Sequence, residues 1–184
     1  MPVSGKLKAL IVCETLSGST RLVAEEIGKG IGKGLDVEII EVSKAPAQLD
    51  ASVALLVIGG APQAFGSTRP TADRPVPTPD SGLRTWLGGL TGTANLAAAA
   101  FDTRPMHSRR LPGSAANGVS ILLGKRGYTL AATPHSFWLK DAAENLAIGE
   151  AARARRWGDE LNGALTKLRN PAPARYRPKA GHSG

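Results

Sequence analysis

The chain has 184 residues, of which 42% are hydrophobic and 21% are charged, a composition that is typical of one globular domain and excludes a disordered polypeptide. Because Cys13 is the single cysteine, an internal disulfide framework is excluded, and its thiol is expected to be a small buried hydrophobe. The formal net charge is +8, and the last stretch of the chain carries four of these charges without an acid: Arg169, Arg175, Arg177 and Lys179.

The positive charge is interpreted as a solvated surface and tail, because no nucleic-acid-binding motif accompanies it. Weak attraction to acidic partners or to nucleic acid is the alternative. The apolar run that stops at Glu14 is too short for a signal peptide or a membrane span, so a cytoplasmic protein without a membrane partner is expected. One domain over residues 1–169 is predicted, followed by a disordered basic tail over 170–184.

The first elements are predicted to be a strand, a polar turn and a helix. The apolar run from Ala9 to Cys13 is the strand, and Val23, Ile27 and Ile31 follow at the spacing of a helix. Glycine weakens a helix interior and favours its end, so the helix is expected to fray and stop through a glycine series. The series is Gly28, Gly30, Gly32 and Gly34.

Two further strands, over 37–42 and 53–58, indicate an α/β fold with right-handed crossovers. The second is apolar without interruption, which is typical of a central parallel strand. It leads into a proline-rich segment over 61–82 that is too long for an ordinary connection. Ligands bind at the carboxyl ends of strands in such sheets, so the beginning of this segment is a candidate binding loop. Its second half, 69–80, is interpreted as a mobile extension.

The third quarter of the chain is predicted to form two helices around a fourth strand. Ser81 is expected to cap a short helix over 83–90, and a second helix is expected over 113–126. The alanine-rich run 95–101 favours a helix by propensity, but its place between the two predicted helices favours the fourth strand.

The last part is predicted to be a strand over 128–133 that Pro134 stops, and a helix over 146–168. The apolar patch over 135–139 is expected to pack under this helix, and a ligand surface or a homodimer surface is the alternative. One helical face is expected to be buried: Ala154, Trp157, Leu161, Ala164, Leu165 and Leu168.

The turn between the first strand and the first helix suits an anion. A loop that leads into a helix N-terminus presents backbone N–H groups and the positive end of the helix dipole. Hydroxyls of Thr15, Ser17, Ser19 and Thr20 add donors, and Gly18 lets the backbone approach closely. A turn that only caps the helix is the alternative.

This turn, Thr15-Leu16-Ser17-Gly18-Ser19-Thr20, resembles the phosphate loop of the flavodoxin family, T/S-x-T/S-G-x-T, which holds the phosphate of FMN. The resemblance implies a flavodoxin-like, doubly wound α/β fold with a five-stranded parallel sheet in the order 2-1-3-4-5 and helices on both faces. It also implies that all six residues of the turn bind the cofactor.

The resemblance further implies that the isoalloxazine ring lies between two later loops. In the first, Phe65 either stacks on the ring or folds back onto the core. In the second, Met106 or His107 replaces the aromatic residue of many flavodoxins, and Arg104 bonds a flavin carbonyl or makes a surface ion pair. The implied cofactor-binding residues are Ala61, Pro62, Gln63, Ala64, Phe65 and Gly66 in the first loop, and Asp102, Thr103, Arg104 and His107 in the second.

The sequence contains no cysteine–histidine cluster for a metal and no recognisable catalytic triad, so the chemistry is assigned to the cofactor. FMN-dependent electron transfer or reduction is predicted, with a redox protein or a small quinone-like molecule as the partner. The alternative is a flavodoxin-like domain without flavin that serves as a binding or regulatory module. The second loop's lack of an aromatic residue motivates this alternative.

Overall fold

A computed structural model describes residues 6–15, 18–60, 82–91, 95–110, 114–140 and 145–171. The predicted roles of Leu16, Ser17 and Ser81, of the loop 61–66, of the extension 69–80 and of nearly all of the tail therefore lie outside the described residues. The strands are β1 (Lys8–Cys13), β2 (Asp36–Glu41), β3 (Val53–Gly60), β4 (Ala97–Pro105), β5 (Thr129–Leu130) and β6 (His135–Leu139). The α-helices are α1 (Gly18–Ile31), α2 (Leu83–Gly89), α3 (Ala115–Lys125) and α4 (Glu150–Arg169).

The strands form one parallel sheet in the order β2-β1-β3-β4-β5, which confirms the predicted topology. A sixth strand, β6, also pairs with β4 in parallel. β5 pairs with the start of β4 at Ala97 and Ala98, and β6 pairs with its second half from Phe101 to Pro105. The fifth position of the sheet is therefore shared by two short strands.

The strand predicted over 128–133 is confirmed in place but is shorter, because β5 comprises only Thr129–Leu130, with one further backbone hydrogen bond from Ala131 to Ala98. The chain leaves the ladder before Pro134, which has no N–H to donate, and re-enters it at His135. The predicted patch over 135–139 is therefore a strand, and its Phe137 packs against Trp157 of α4 as expected.

The sheet buries a mostly aliphatic core on each face, as the alternation of strand side chains requires. Ile11, Val57 and Ala99 belong to the cluster that α1 and α4 cover, together with the aromatic rings of Phe101 and Trp157. Strand residues of the opposite parity belong to the cluster that α2 and α3 cover: Leu10, Val12, Leu56, Ile58, Ala98 and Ala100. The helices thus lie on both faces, as predicted.

The helix ends at Ile31 within the glycine series, as predicted, but its glycines form a packing surface and the predicted fraying is wrong. Gly28 and Gly30 are buried inside the helix, which continues to Ile31. A Cβ atom on Gly30 would overlap the Arg155 carbonyl oxygen, and one on Gly158 would overlap that of Ile27. Glycine at both positions lets the backbones of α1 and α4 touch, and this contact fixes the position of α1.

α4 begins at Glu150 rather than near Leu146, because Leu146 forms an antiparallel bridge with Leu139. The predicted buried face is confirmed at Trp157 and Leu161, but Leu168 is 43% exposed and does not belong to it. None of the helices in the described ranges has the length and apolar character needed to cross a membrane.

Candidate functional site

The carboxyl ends of the central strands bring the candidate residues to one edge of the sheet. Cys13, Gly59 and Phe101 lie side by side in the register of β1, β3 and β4. β3 ends one residue later at Gly60, whereas β4 continues to Pro105. The last residues of β4 therefore extend past β3, toward the N-terminus of α1.

The N-terminus of α1 begins at Gly18, within the turn that is predicted to bind an anion. Gly18 has a φ of 53°, in the left-handed region that favours glycine. Ser19 and Thr20 are buried, whereas Thr15 is exposed. The first turn, described from Gly18 onward, contains no acidic side chain.

The Thr20 side chain makes a long-range contact that the sequence did not indicate. Its Oγ1 lies 3.1 Å from Oγ1 of Thr103, and both residues are buried, at 5% and 2% exposure. This hydroxyl pair connects the first turn of α1 to the extended end of β4.

The N-termini of α2 and α3 are occupied by carboxylates from the ends of strands. The Leu83 N–H donates to Oε2 of Glu14 over 2.8 Å, just after β1 ends. The Ala116 N–H and the Ser114 hydroxyl donate to Oδ2 of Asp102, over 3.0 and 2.9 Å. Gly82 holds the cap position of α2, and Glu14 supplies an acceptor to its first turn. In the sequence, both Glu14 and Asp102 directly follow an apolar run, and this was the signal that sequence reasoning missed.

The prediction that Asp102 begins a loop is wrong, because Asp102, Thr103 and Arg104 belong to β4. Backbone pairing with β6 extends the strand, and all three side chains are buried. The segment after β4 is a 3-10 turn, Met106–Arg110, in which Met106 and His107 are exposed. Met106 and His107 are therefore exposed at this edge of the sheet, whereas Asp102 is buried.

Arg104 lies under the 3-10 turn, so its predicted surface position is wrong. Its guanidinium lies 5.7 Å from the ring centroid of Trp138 and donates to the Ser108 carbonyl oxygen over 3.2 Å. Arg109 approaches the same ring, also at 5.7 Å. Sequence reasoning missed Trp138 because it treated 135–139 as one apolar patch, although alternation within a strand places Trp138 beside Arg104.

An aromatic cluster supports the edge from the side of α4. Phe101, Phe137 and Trp157 contact one another at centroid distances of 6.1 to 6.4 Å, and His135 stacks on Trp157 at 5.1 Å. Burial, and then the positive charge of Arg153, lower the pKa of His135.

Cys13 is fully buried, which confirms its expected structural role. Burial raises the pKa of its thiol to about 12, so the reactive thiolate is not populated at neutral pH.

Comparison with known proteins identifies the fold. No family model matches the sequence, and no curated protein matches it. A flavodoxin from the domain Archaea matches with a TM-score of 0.60 and 18% identity, over 87% of this chain and 99% of that one. Oxidised flavodoxin 2 from Bacillus cereus gives a TM-score of 0.59 and 15% identity, over 85% and 98% of the two chains.

The flavodiiron core of Flv1 from Synechocystis sp. PCC6803 also matches, with a TM-score of 0.60 and 18% identity. The match covers 89% of this chain and 37% of that longer one. At these identities the likeness shows the fold alone. The chain has a flavodoxin-like fold, as the resemblance at Thr15–Thr20 predicted.

Proposed function

We propose that the chain binds FMN at the carboxyl edge of its sheet and uses it for electron transfer or flavin-dependent reduction. The N-terminus of α1 carries this proposal. Its first turn has the buried hydroxyl residues Ser19 and Thr20 and no acid of its own, and Gly18 has a φ of 53°. A phosphate dianion is favoured by the positive end of a helix dipole.

Different residues of the chain are proposed to bind the phosphate and the ring of the cofactor. The phosphate is assigned to the turn Thr15–Thr20, where Gly18 has the backbone conformation that a close approach requires. The ring is assigned to the space between the loop 61–66 and the segment 102–107. Since Asp102 and Thr103 are buried and Met106 and His107 are exposed, Met106 and His107 are the side chains of this segment that we expect to contact the ring.

FMN, when bound, supplies one- and two-electron redox chemistry. The protein's part is to hold the phosphate, to orient the ring and to limit the access of water to it. We propose a redox protein or a small quinone-like molecule as the electron partner.

A flavin-free binding or regulatory module is the second candidate, and the course of β4 favours it. Because β4 continues to Pro105, the segment that follows is a short 3-10 turn without a phenylalanine, tyrosine or tryptophan. Such a turn covers less of a ring face than an aromatic loop does.

Titration of the purified protein with FMN distinguishes the two candidates. Quenching of flavin fluorescence with saturable binding supports the FMN proposal, and a folded protein that leaves FMN fluorescence unchanged supports the flavin-free module. The matched variants are Ser17→Asp, which adds a negative charge to the proposed phosphate turn, and Thr91→Asp, which adds the same charge at an exposed position after α2.

We expect Ser17→Asp to weaken FMN binding at least tenfold through charge repulsion, and Thr91→Asp to leave it unchanged. Equal affinities of both variants for FMN would contradict the assignment of the phosphate to the turn Thr15–Thr20.

A further inference from the structure

The hydrogen bond between Thr20 and Thr103 joins two elements that are far apart in sequence and separated in the sheet. Thr20 lies in the first turn of α1, and Thr103 lies near the end of β4, with β3 between β4 and β1. β4 continues beyond Asp102, the partner of Gly60 in β3, and Thr103 is the next residue of β4. Phe101, two residues earlier on the same face, lies over Gly59, where a Cβ atom would overlap its ring.

The hydrogen-bonding capacity of the two hydroxyls allows two directions for this contact. Each threonine hydroxyl has one hydrogen to donate and can accept two hydrogen bonds. At 3.1 Å, one hydroxyl of the pair donates and the other accepts. If Thr20 donates to Thr103, the hydrogen of Thr20 is used inside the protein. If Thr103 donates, the hydrogen of Thr20 is available to an anion.

We propose that Thr103 is a positioning residue for the phosphate end of the ligand, acting through Thr20 and not through the ring. This inference rests on the proposed binding of a phosphate group at the N-terminus of α1. Thr103 donates its hydrogen to Thr20 Oγ1, which leaves the Thr20 hydrogen directed to a phosphate oxygen. The burial of both residues makes this orientation effective, because water competes little for either hydroxyl.

The rigid placement of both partners supports this role. α1 is fixed by backbone contact with α4 at Gly30 and Gly158, and the end of β4 is fixed by its pairing with β6, where Thr103 lies beside Phe137. The Thr20 hydroxyl is therefore held on an element of fixed position. Preorganised donors bind a charged group better than donors that must first be ordered.

The test compares FMN with riboflavin, which has the same ring and no phosphate, in two variants of Thr103. In Thr103→Val the isosteric side chain keeps the packing and cannot donate, and in Thr103→Ser the hydroxyl is kept. We expect Thr103→Val to weaken FMN binding about tenfold, because the Thr20 hydroxyl is then no longer oriented toward the phosphate, and to leave riboflavin binding unchanged. Thr103→Ser should restore most of the FMN affinity.

The matched control is Thr129→Val, which removes a half-buried hydroxyl in β5, beside Ala97 at the opposite end of β4. It should change neither affinity. A second measurement combines Thr103→Val with Thr20→Val. If Thr103 acts through Thr20, the double variant binds FMN as weakly as Thr20→Val alone.

Three outcomes would overturn the inference: equal losses for FMN and riboflavin, full FMN affinity in Thr103→Val, or additive losses in the double variant. These results leave the proposed function standing, because they presuppose a wild-type protein that binds FMN. If the wild-type protein binds neither FMN nor riboflavin, the proposed function fails and Thr103 keeps only a structural hydrogen bond. Since the comparison uses two ligands on one protein, it remains informative if Thr103→Val lowers stability.

Discussion

The junction between β1 and α1 and the junction between β4 and α3 lie at the same edge of the sheet but are built differently. At the second junction, Asp102 accepts from the Ala116 N–H and from the Ser114 hydroxyl, and the carboxylate satisfies the helix N-terminus from within the protein. At the first junction the Glu14 carboxylate accepts from Leu83 of α2, and the first turn of α1 has hydroxyl side chains and no acid of its own. The difference is that a carboxylate of the protein itself caps α3, whereas at α1 we propose that a ligand supplies the negative charge.

The two kinds of junction also differ in how the helix is fixed. α2 and α3 receive carboxylate acceptors at their N-termini, whereas the C-terminal part of α1 packs against α4 through glycines. Substitutions that remove each kind of support test this comparison.

The largest effect is expected for Gly30→Ala, because the new Cβ atom would overlap the backbone of α4 at Arg155. Overpacking of this kind costs about 3 kcal/mol of the free energy of unfolding. Denaturation in urea measures the loss. The matched control is Gly163→Ala in α4, where a Cβ atom meets nothing within 4 Å, and we expect it to stabilise the protein by up to about 1 kcal/mol. Equal effects of both substitutions would contradict the proposed role of the glycine contact.

Asp102→Ala is expected to have the next largest effect, since it removes a buried acceptor that two donors share. A buried donor without a partner costs about 2 kcal/mol, so the free energy of unfolding should fall by roughly this amount. Asp102→Asn keeps one acceptor oxygen and should lose less. A stability of Asp102→Ala equal to that of the wild type would show that the carboxylate does not fix α3.

Glu14→Ala is expected to lower the free energy of unfolding by about 1 kcal/mol, the usual cost of losing a helix cap. The reason for the smaller effect is that Glu14 is only part-buried and accepts one backbone hydrogen bond from α2, at Leu83. Urea denaturation and hydrogen exchange at the first turn of α2 measure it. Exchange protection that is unaffected by the substitution would argue against the cap.

The smallest effect is expected to be a dependence of stability on pH that arises from His135 in β6, beside β4. The pKa of His135 is lowered by burial and by Arg153, against smaller opposing effects of Thr133, Glu160 and Glu150. The fold therefore favours the neutral imidazole, and stability should be constant above the ordinary pKa of about 6.5 and fall as the pH drops below it. His135→Phe keeps an aromatic ring beside Trp157 and should remove this part of the loss. Thermal unfolding between pH 7.5 and 5.5 checks it, and identical profiles of the two proteins would refute it.

The sequence allowed most of the fold to be predicted because the strong signals are local. The apolar runs of β1 and β3 and the hydroxyl-rich turn after β1 indicated the α/β order and the flavodoxin-like topology. The limits of β4 and β6 could not be predicted, because β4 extends to Pro105 only through backbone pairing with residues that follow more than 30 positions later. The glycines of α1 were misinterpreted for a similar reason, since their partner Gly158 lies in the last helix.

The assignment of the candidate site to Thr15–Thr20 came from residue type and spacing, and it stays a prediction. The pairing of Thr20 with Thr103 and the cap formed by Asp102 depend on long-range geometry that no local pattern contains.

The most direct test of the central claim is the affinity of the wild-type protein for FMN compared with riboflavin, measured by fluorescence quenching with and without inorganic phosphate. If the N-terminus of α1 holds the phosphate of FMN, FMN binds at least tenfold more tightly than riboflavin, and inorganic phosphate competes with FMN and not with riboflavin. Equal affinity for the two flavins, or binding of neither, would contradict the account.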